Sequence, residues 1–557
     1  MSLGSLINAP PSTKPPVNAL TEEFKVELFL RKSTGLVKEI GPFGTFVLPW
    51  ASMAGSGITL YSIEVIYNYP AGSVPGAFLI VAVPTLLSVL TFALLGITTP
   101  RSAGAYVWCS RFIDPFVGWF GAGWIYWLSQ IFSIALVAYV LGSVYPVIFI
   151  IMGDAAKITA LSSFGAALQS NLPMQQAFIV ITIIIVGLAA MVEIKHYMKI
   201  VMVIWGLNGL GLLVSAALFA MNNPGTISAA WNNVWGAGSY EMITSLATKY
   251  DLAGYVSKTS TGALGDTIAI VAYIFWALTG YEVPAYVAGE VRNPRSSFLY
   301  WFTAGMIATA IWYTIVTWLA YNAYGGFILQ YNYVYNLYTA GQLTASEAST
   351  IAPYMLLPSM PLFSASLAGS PAVQILAAWW FWPVTSILVT YLAGTRSMFG
   401  MSFDRMFPSV FGKVSDRTHT PIQATVFCMI GAIIVAALMF TDYGYLASAA
   451  NTTFFYAFAY MIVAFAAIVV PYKRKDIWER GVKRRILGIP EMTLIGALAA
   501  IGMLWIVTLS TIGISLLAWN VSVLWMLIGV LIFIYFVRVN EKRGVNIAQI
   551  FGEIPPP

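Results

Sequence analysis

Charge is scarce in this sequence: only 9% of its 557 residues are Asp, Glu, Lys or Arg, against roughly 25% in an ordinary soluble domain. With 59% hydrophobic residues, a water-soluble fold is excluded, because it would leave too much apolar side chain facing water. Cysteine and histidine are scarcer still, at two each: Cys109 and Cys428, His196 and His419. Two cysteines exclude a disulfide framework. So few nitrogen and sulfur ligands also argue against a haem or zinc membrane enzyme, whose centres usually need several. An apolar core near the start is missing as well. Residues 1–40 are polar and Pro-rich, as in NAPPSTKPPVN, and predict a flexible cytosolic tail rather than a cleaved signal peptide.

What is abundant is uninterrupted apolar length. In lipid every backbone polar group must be satisfied internally, so only helices and closed barrels span. A barrel would show segments of about ten residues with alternating polarity. Runs such as IVITIIIVGLAAMV (179–192) and LIGVLIFIYFV (527–537) are continuous instead. The fold class is therefore all-α and polytopic. With about twenty apolar residues per crossing, twelve spans are predicted, at roughly 41–67, 76–97, 112–151, 176–192, 197–221, 266–290, 298–323, 371–400, 422–441, 446–471, 491–515 and 518–538.

These spans sort the basic residues. Of the 28 Lys and Arg, all but Lys157, Lys249 and Lys258 fall on one side, including the KRKDIWERGVKRR stretch. By the positive-inside rule that side is cytoplasmic. Both termini are expected there, so the formal charge of +6 is a topology signal and not the mark of a nucleic-acid partner. Two connections on the other side, 222–265 and 324–370, are long enough to be functional or to carry short helices of their own.

Two spans are interrupted at matching places. The first reads LPWASMAGSGITLY (48–61), with Gly55, Ser56 and Gly57 near its middle. The sixth reads YIFWALTGYEVPAY (273–286), with Gly280, Glu282 and Pro284 near its middle. Five spans separate the two, an odd number, as an inverted repeat requires, and such paired breaks point to a secondary-transporter binding site. A broken helix leaves N–H groups unpaired at the start of its second half, where the dipole favours an anion. A substrate carboxylate is expected against Ser56, Gly57 and Ile58, flanked by Ala54 and Gly55. Freed carbonyls at Ala277, Leu278 and Thr279 are expected to take an ammonium group. The competing reading of Gly-Ser-Gly is close helix packing. Glu282, ionisable inside the bilayer, is a functional candidate, with a structural hydrogen bond at the helix end as its alternative. Glu64 lies nearer the outer end of the first span, within reach of solvent. Trp276 is a candidate gate over the substrate, although with 19 tryptophans many must be packing or interfacial residues.

Four stretches, in this order and spacing, resemble the amino acid–polyamine–organocation (APC) superfamily of permeases, which share the LeuT-type fold. They are GSGI (55–58), PRSAGAYVW (100–108), FWALTGYE (275–282) followed by AGEVRNPRSS (288–297), and TRSMFGMSFDRMFP (395–408) running on to HTP (419–421). The resemblance covers about 41–471. It implies two inverted five-helix repeats, at 41–221 and 266–471, plus two peripheral helices at 491–538. A basic cytoplasmic loop at 472–490 and a cytoplasmic C-terminal tail at 539–557 complete this organisation. It implies substrate held between the broken first and sixth helices and alternating access by rocking of one bundle. It places Trp276 where some relatives have an aromatic gate. Several positions depart from the pattern: Ala103 and Arg405 stand where Gly is common, and Phe403 where Arg usually precedes the Asp, here Asp404. In several sodium-independent members a fifth-helix lysine replaces a bound sodium ion. An ungapped alignment puts Asn208 there, so the coupling ion, H+ or Na+, stays open. If sodium is used, Thr385 and Ser386 of the eighth span are candidates to line its site; as helix hydroxyls, their alternative role is to bond the carbonyl a turn earlier.

The expectation is therefore a proton- or sodium-coupled amino acid permease of the plasma membrane. Its partners are a small-molecule amino acid substrate and the lipid bilayer, with no nucleic acid, cofactor, metal or catalytic residue. A polyamine or organic-cation carrier and a non-transporting nutrient sensor remain alternatives. A proton-pumping or redox subunit would need buried relays of ionisable groups that the spans lack, and nothing reads as a channel filter.

Overall fold

The computed structural model of this chain describes residues 35–53, 55, 57–512 and 515–555. Residues 1–34 of the tail expected at 1–40, and Ala54 and Ser56 of the first break, lie outside the described residues. Among them, nine helices are long and apolar enough to cross a membrane. They are Val74–Thr98, Pro115–Ala156, Leu172–Ala189, Ile194–Met221, Pro294–Tyr324, Pro371–Phe403, Ala447–Lys473, Glu491–Thr511 and Leu516–Lys542. A tenth is added if Leu252–Thr259 and Ala263–Ala277, bent by 79°, count as one. Other predicted spans have no helix of that length. The first is split into Pro42–Met53, a π-helical turn Gly57–Tyr61 and Ser62–Asn68. The sixth stops at Ala277 and resumes only as Val283–Tyr286, and Ile422–Leu438 has 17 residues.

Local chemistry starts these helices. Ser73 accepts the Gly76 N–H with Pro75 behind it, and Asn171 accepts the Met174 N–H with Pro173 behind it, the pairing of a capping acceptor with a residue that needs no donor. Proline also sits inside long helices, at Pro84 and Pro146, where a lost hydrogen bond permits a bend. The Pro115–Ala156 segment runs through the centre, packed by Pro371–Phe403, Gly444–Lys473, Ile422–Leu438 and Thr159–Ser170.

The two ends of the bundle differ. One, the basic face, joins distant segments through buried charge. Arg111 grips Asp404 with two bonds, 2.5 and 2.7 Å, and Tyr106 donates to the same carboxylate. Arg396 grips Glu290 with bonds of 2.9 and 2.8 Å. Ile40 bridges Val291, and Ser102 bridges Val287. The departures from the permease pattern gather here. Ala103 and Arg405, which replace common glycines, both adopt the left-handed backbone, at φ +56° and +61°, a region costing a non-glycine residue about 1–2 kcal/mol. The guanidinium facing Asp404 comes from Arg111 on another helix, while Phe403 packs on Phe399.

The opposite end is capped. The segment 222–265 carries the helices Ile227–Trp235, Ser239–Lys249 and Leu252–Thr259, and 324–370 carries Phe327–Thr339, Ala345–Ile351 and Met360–Ala365. Buried Trp231 packs on Tyr324, Phe327, Tyr331 and Phe363. Tyr255 ties this cap to the first span by donating to the Tyr67 carbonyl at 2.9 Å. Glu347 joins the two segments: it accepts from Lys249 Nζ at 2.6 Å, from Tyr250 and from the Thr344 hydroxyl and N–H. These bonds, Lys249 first and then Thr344, hold the Glu347 carboxyl down at about 2. A lowered folded pKa contributes stability that is complete above the ordinary glutamate range and disappears as pH falls toward the folded value. Thermal unfolding followed from pH 5 to pH 2 should therefore show the wild type losing more stability than Glu347→Gln. Parallel curves would remove Glu347 as a tie between the cap segments.

Candidate functional site

The two breaks meet. In the first, the helix ends at Met53, whose carbonyl accepts the Gly55 N–H at 2.8 Å, and the chain restarts at Gly57. The Gly57 and Ile58 N–H groups bond no backbone or side-chain acceptor among the described residues. In the second, Leu278 and Thr279 turn back on Phe275 and Trp276, and Gly280 takes φ +94°. The carbonyls of Ala277, Leu278 and Thr279 likewise accept no hydrogen bond among the described residues. A Cβ placed on Gly57 would lie 2.3 Å from Ala277 Cβ, and one on Gly280 would lie 2.2 Å from Ser52 Oγ. Gly57 on Ala277 and Gly280 on Ser52 thus hold the two breaks together so closely that neither glycine has room for a methyl group.

Between them is a cavity of about 10 Å³, room for about one water-sized probe. Five predicted residues line it: Gly55, Gly57, Trp276, Thr279 and Ser386. Ser386 donates to the Ser52 carbonyl at 2.8 Å, joining the eighth span to the first break. Five lining residues escaped sequence reasoning: Ser52, Met53, Ser133, Val137 and Tyr456. Ser133 and Val137 are one helical turn apart on a helix buried almost all round, and the recurrence of Tyr126, Ser129, Gln130 and Ser133 at helical spacing is the signal that could have marked this face.

The remaining candidates fall elsewhere. Ala277 packs on Gly57, and Ile58 and Leu278 are buried beside the breaks. Gly280 donates its N–H to the Tyr460 hydroxyl at 3.1 Å. Glu282 does not line the cavity; its carboxylate accepts from Tyr126 at 2.7 Å and from Tyr460. Tyr460 therefore secures both Gly280 and Glu282, and Tyr126 is stacked on Tyr286 at 3.7 Å. Thr385 donates to the Trp382 carbonyl one turn back. Asn208 accepts the Phe381 N–H at 3.0 Å, while its buried Nδ2 has no partner among the described residues.

A larger cavity of about 490 Å³ lies on the capped side, lined among others by Tyr61, Tyr69, Tyr273, Trp276 and Asp442. Trp276 borders both cavities, and its ring meets Tyr61 edge-on at 5.2 Å. These two rings thus stand between the breaks and the capped side.

A family model described as amino acid permease matches residues 45–550, which takes in both breaks, the cap and the basic face. The chain belongs to the amino acid permease family. The permease is 25% identical over 492 residues to the vacuolar cationic amino acid transporter 8 of Arabidopsis thaliana, across 86% of this chain and 68% of that protein. It is 24% identical over 486 residues to a probable polyamine transporter of the same plant, across 84% and 77%. A putative polyamine transporter of Candida albicans matches at 24% over 174 residues, 30% of this chain and 27% of that one.

Proposed function

We propose that this permease is a secondary active transporter that carries an amino acid by alternating access, coupled to a proton or sodium gradient. The observation that carries this reading is the meeting of the two breaks. The N–H groups of Gly57 and Ile58, unpaired among the described residues, would take a substrate carboxylate, and the carbonyls of Ala277 to Thr279, unpaired among the same residues, its ammonium. Trp276 and Tyr61 form the gate toward the capped side, and the Arg111–Asp404 and Arg396–Glu290 pairs close the basic face. In this reading 41–221 and 266–471 are the two inverted repeats, 491–538 is peripheral, both termini are cytoplasmic, and the membrane is the plasma membrane. The Ser386 hydroxyl on the Ser52 carbonyl stands where a coupling cation would compete for the same oxygen.

Uptake of a labelled amino acid mixture into proteoliposomes, with and without imposed proton and sodium gradients, tests this. Accumulation that depends on one gradient is the expected result, and it identifies the ion. A folded protein that accumulates no amino acid under any gradient would overturn the reading in favour of a polyamine carrier or a sensor.

A further inference from the structure

Resting on the permease reading, we propose that a second cavity beside Glu64 binds an alkylammonium or guanidinium group, making Glu64 the residue that selects cationic substrates. Glu64 lies on the Ser62–Asn68 helix, seven residues or about 10 Å beyond Gly57 at 1.5 Å per residue. It lines a cavity of about 160 Å³ with Tyr61, Tyr67, Tyr273, Asn332 and Asn336. Tyr61 and Tyr273 also line the larger cavity above Trp276, so the two spaces share a wall on the path to the breaks.

The charge of this cavity is one-sided. No Lys or Arg lines it or its larger neighbour. Among the described residues, Glu64 takes part in none of the ion pairs and its carboxylate in no hydrogen bond. Asn332 directs its NH₂ to the carbonyls of Ile63 and Ile328, and Asn336 directs its own to the carbonyl of Asn332. These bonds use both N–H groups of Asn332 and one of Asn336, and leave both amide oxygens to accept. A carboxylate, two amide oxygens and the rings of Tyr61, Tyr67, Tyr273 and Tyr335 make a site rich in acceptors and π faces. An ammonium or guanidinium group brings only donors and a positive charge, which such a site complements. A neutral side chain gains nothing from the carboxylate. Glu282, by contrast, already has two hydroxyl partners and offers no free charge to a ligand.

The group could belong to a cationic amino acid or to one end of a polyamine, and the test separates them. Uptake of lysine, putrescine and leucine is measured in proteoliposomes holding wild type, Glu64→Gln or Glu64→Asp. The expected result is a KM raised at least tenfold by Glu64→Gln for whichever cation is carried, leucine uptake within twofold of wild type, and recovery of most of the cation affinity in Glu64→Asp. A change confined to lysine identifies the amino acid, and one confined to putrescine the polyamine. Equal loss for leucine and the cations, or no change for either cation, would overturn the assignment. If wild type moves none of the three, the transport reading fails, and melting-temperature shifts with lysine and putrescine decide this site alone. A shift that Glu64→Gln abolishes upholds it, and shifts equal in both proteins, or none in wild type, overturn it.

Discussion

Gly57→Ala is expected to weaken substrate binding by ten- to a hundredfold and to cut uptake at least as far. The added methyl would lie 2.3 Å from Ala277 Cβ, 2.5 Å from its Cα and 2.9 Å from its N. Two of those atoms are backbone, so relief requires the two breaks to move apart. Forcing a methyl into a packed interior costs about 1–3 kcal/mol, and about 1.4 kcal/mol is a factor of ten in affinity. Gly280→Ala adds a different cost, because φ +94° is unfavourable for any residue with a side chain. Gly206→Ala is the control: no heavy atom within 4 Å of the added Cβ belongs to a neighbouring element, and alanine is the better helix former. Binding and uptake by Gly57→Ala at wild-type levels would mean that the meeting of the breaks is not the binding site.

The second large effect concerns the basic face. Arg396→Met should destabilise the permease by about 3–5 kcal/mol, because it leaves the buried Glu290 carboxylate without its bidentate partner. Arg396→Met/Glu290→Met should recover much of that loss, since a buried pair replaced as a unit by apolar groups leaves no unpaired charge. A double-mutant cycle of thermal unfolding measures the coupling, and additive effects would show that the pair contributes nothing as a pair. The function of this face has its own readout. Both cysteines are buried, and Cys109 shares the Gly104–Phe112 helix with Arg111. Loosening of the basic face in Arg396→Met should therefore raise the labelling rate of Cys109 by a membrane-impermeant thiol reagent.

The two acidic residues of the broken spans have surroundings that their local sequence does not indicate. Next to a Gly-rich break, Glu282 reads as the functional carboxylate, and Glu64, toward the end of its span, as solvated. In the fold, hydroxyls from Tyr126 and Tyr460, 156 and 178 residues away, converge on Glu282, while Glu64 faces a cavity of rings and amide oxygens. Whether a carboxylate is available to a ligand depends on which distant side chains reach it first, and no local pattern carries that information. Ser133, Val137 and Tyr456 show the same gap. Their helices do carry buried polar residues at helical spacing, Ser129, Gln130 and Ser133 on one and Ser448, Thr452 and Tyr456 on the other, but that spacing does not say which of them faces the breaks.

The class of the protein and the two breaks were legible in the sequence alone, whereas of the twelve crossings it predicts, nine or ten have a helix long and apolar enough among the described residues. Membrane thickness imposes about twenty apolar residues per crossing. Gly55, Gly57 and Gly280 are legible because a close backbone approach or a left-handed turn excludes other residue types, and such constraints act on one position at a time. The Arg111–Asp404 and Arg396–Glu290 pairs, the folding of 222–265 against 324–370 through Glu347, and the cavity at Glu64 were decided only in three dimensions. Each depends on how helices rotate and pack against one another. In spans that are largely apolar all round, that rotation is set by the fit of side chains across the bundle more than by any pattern along it.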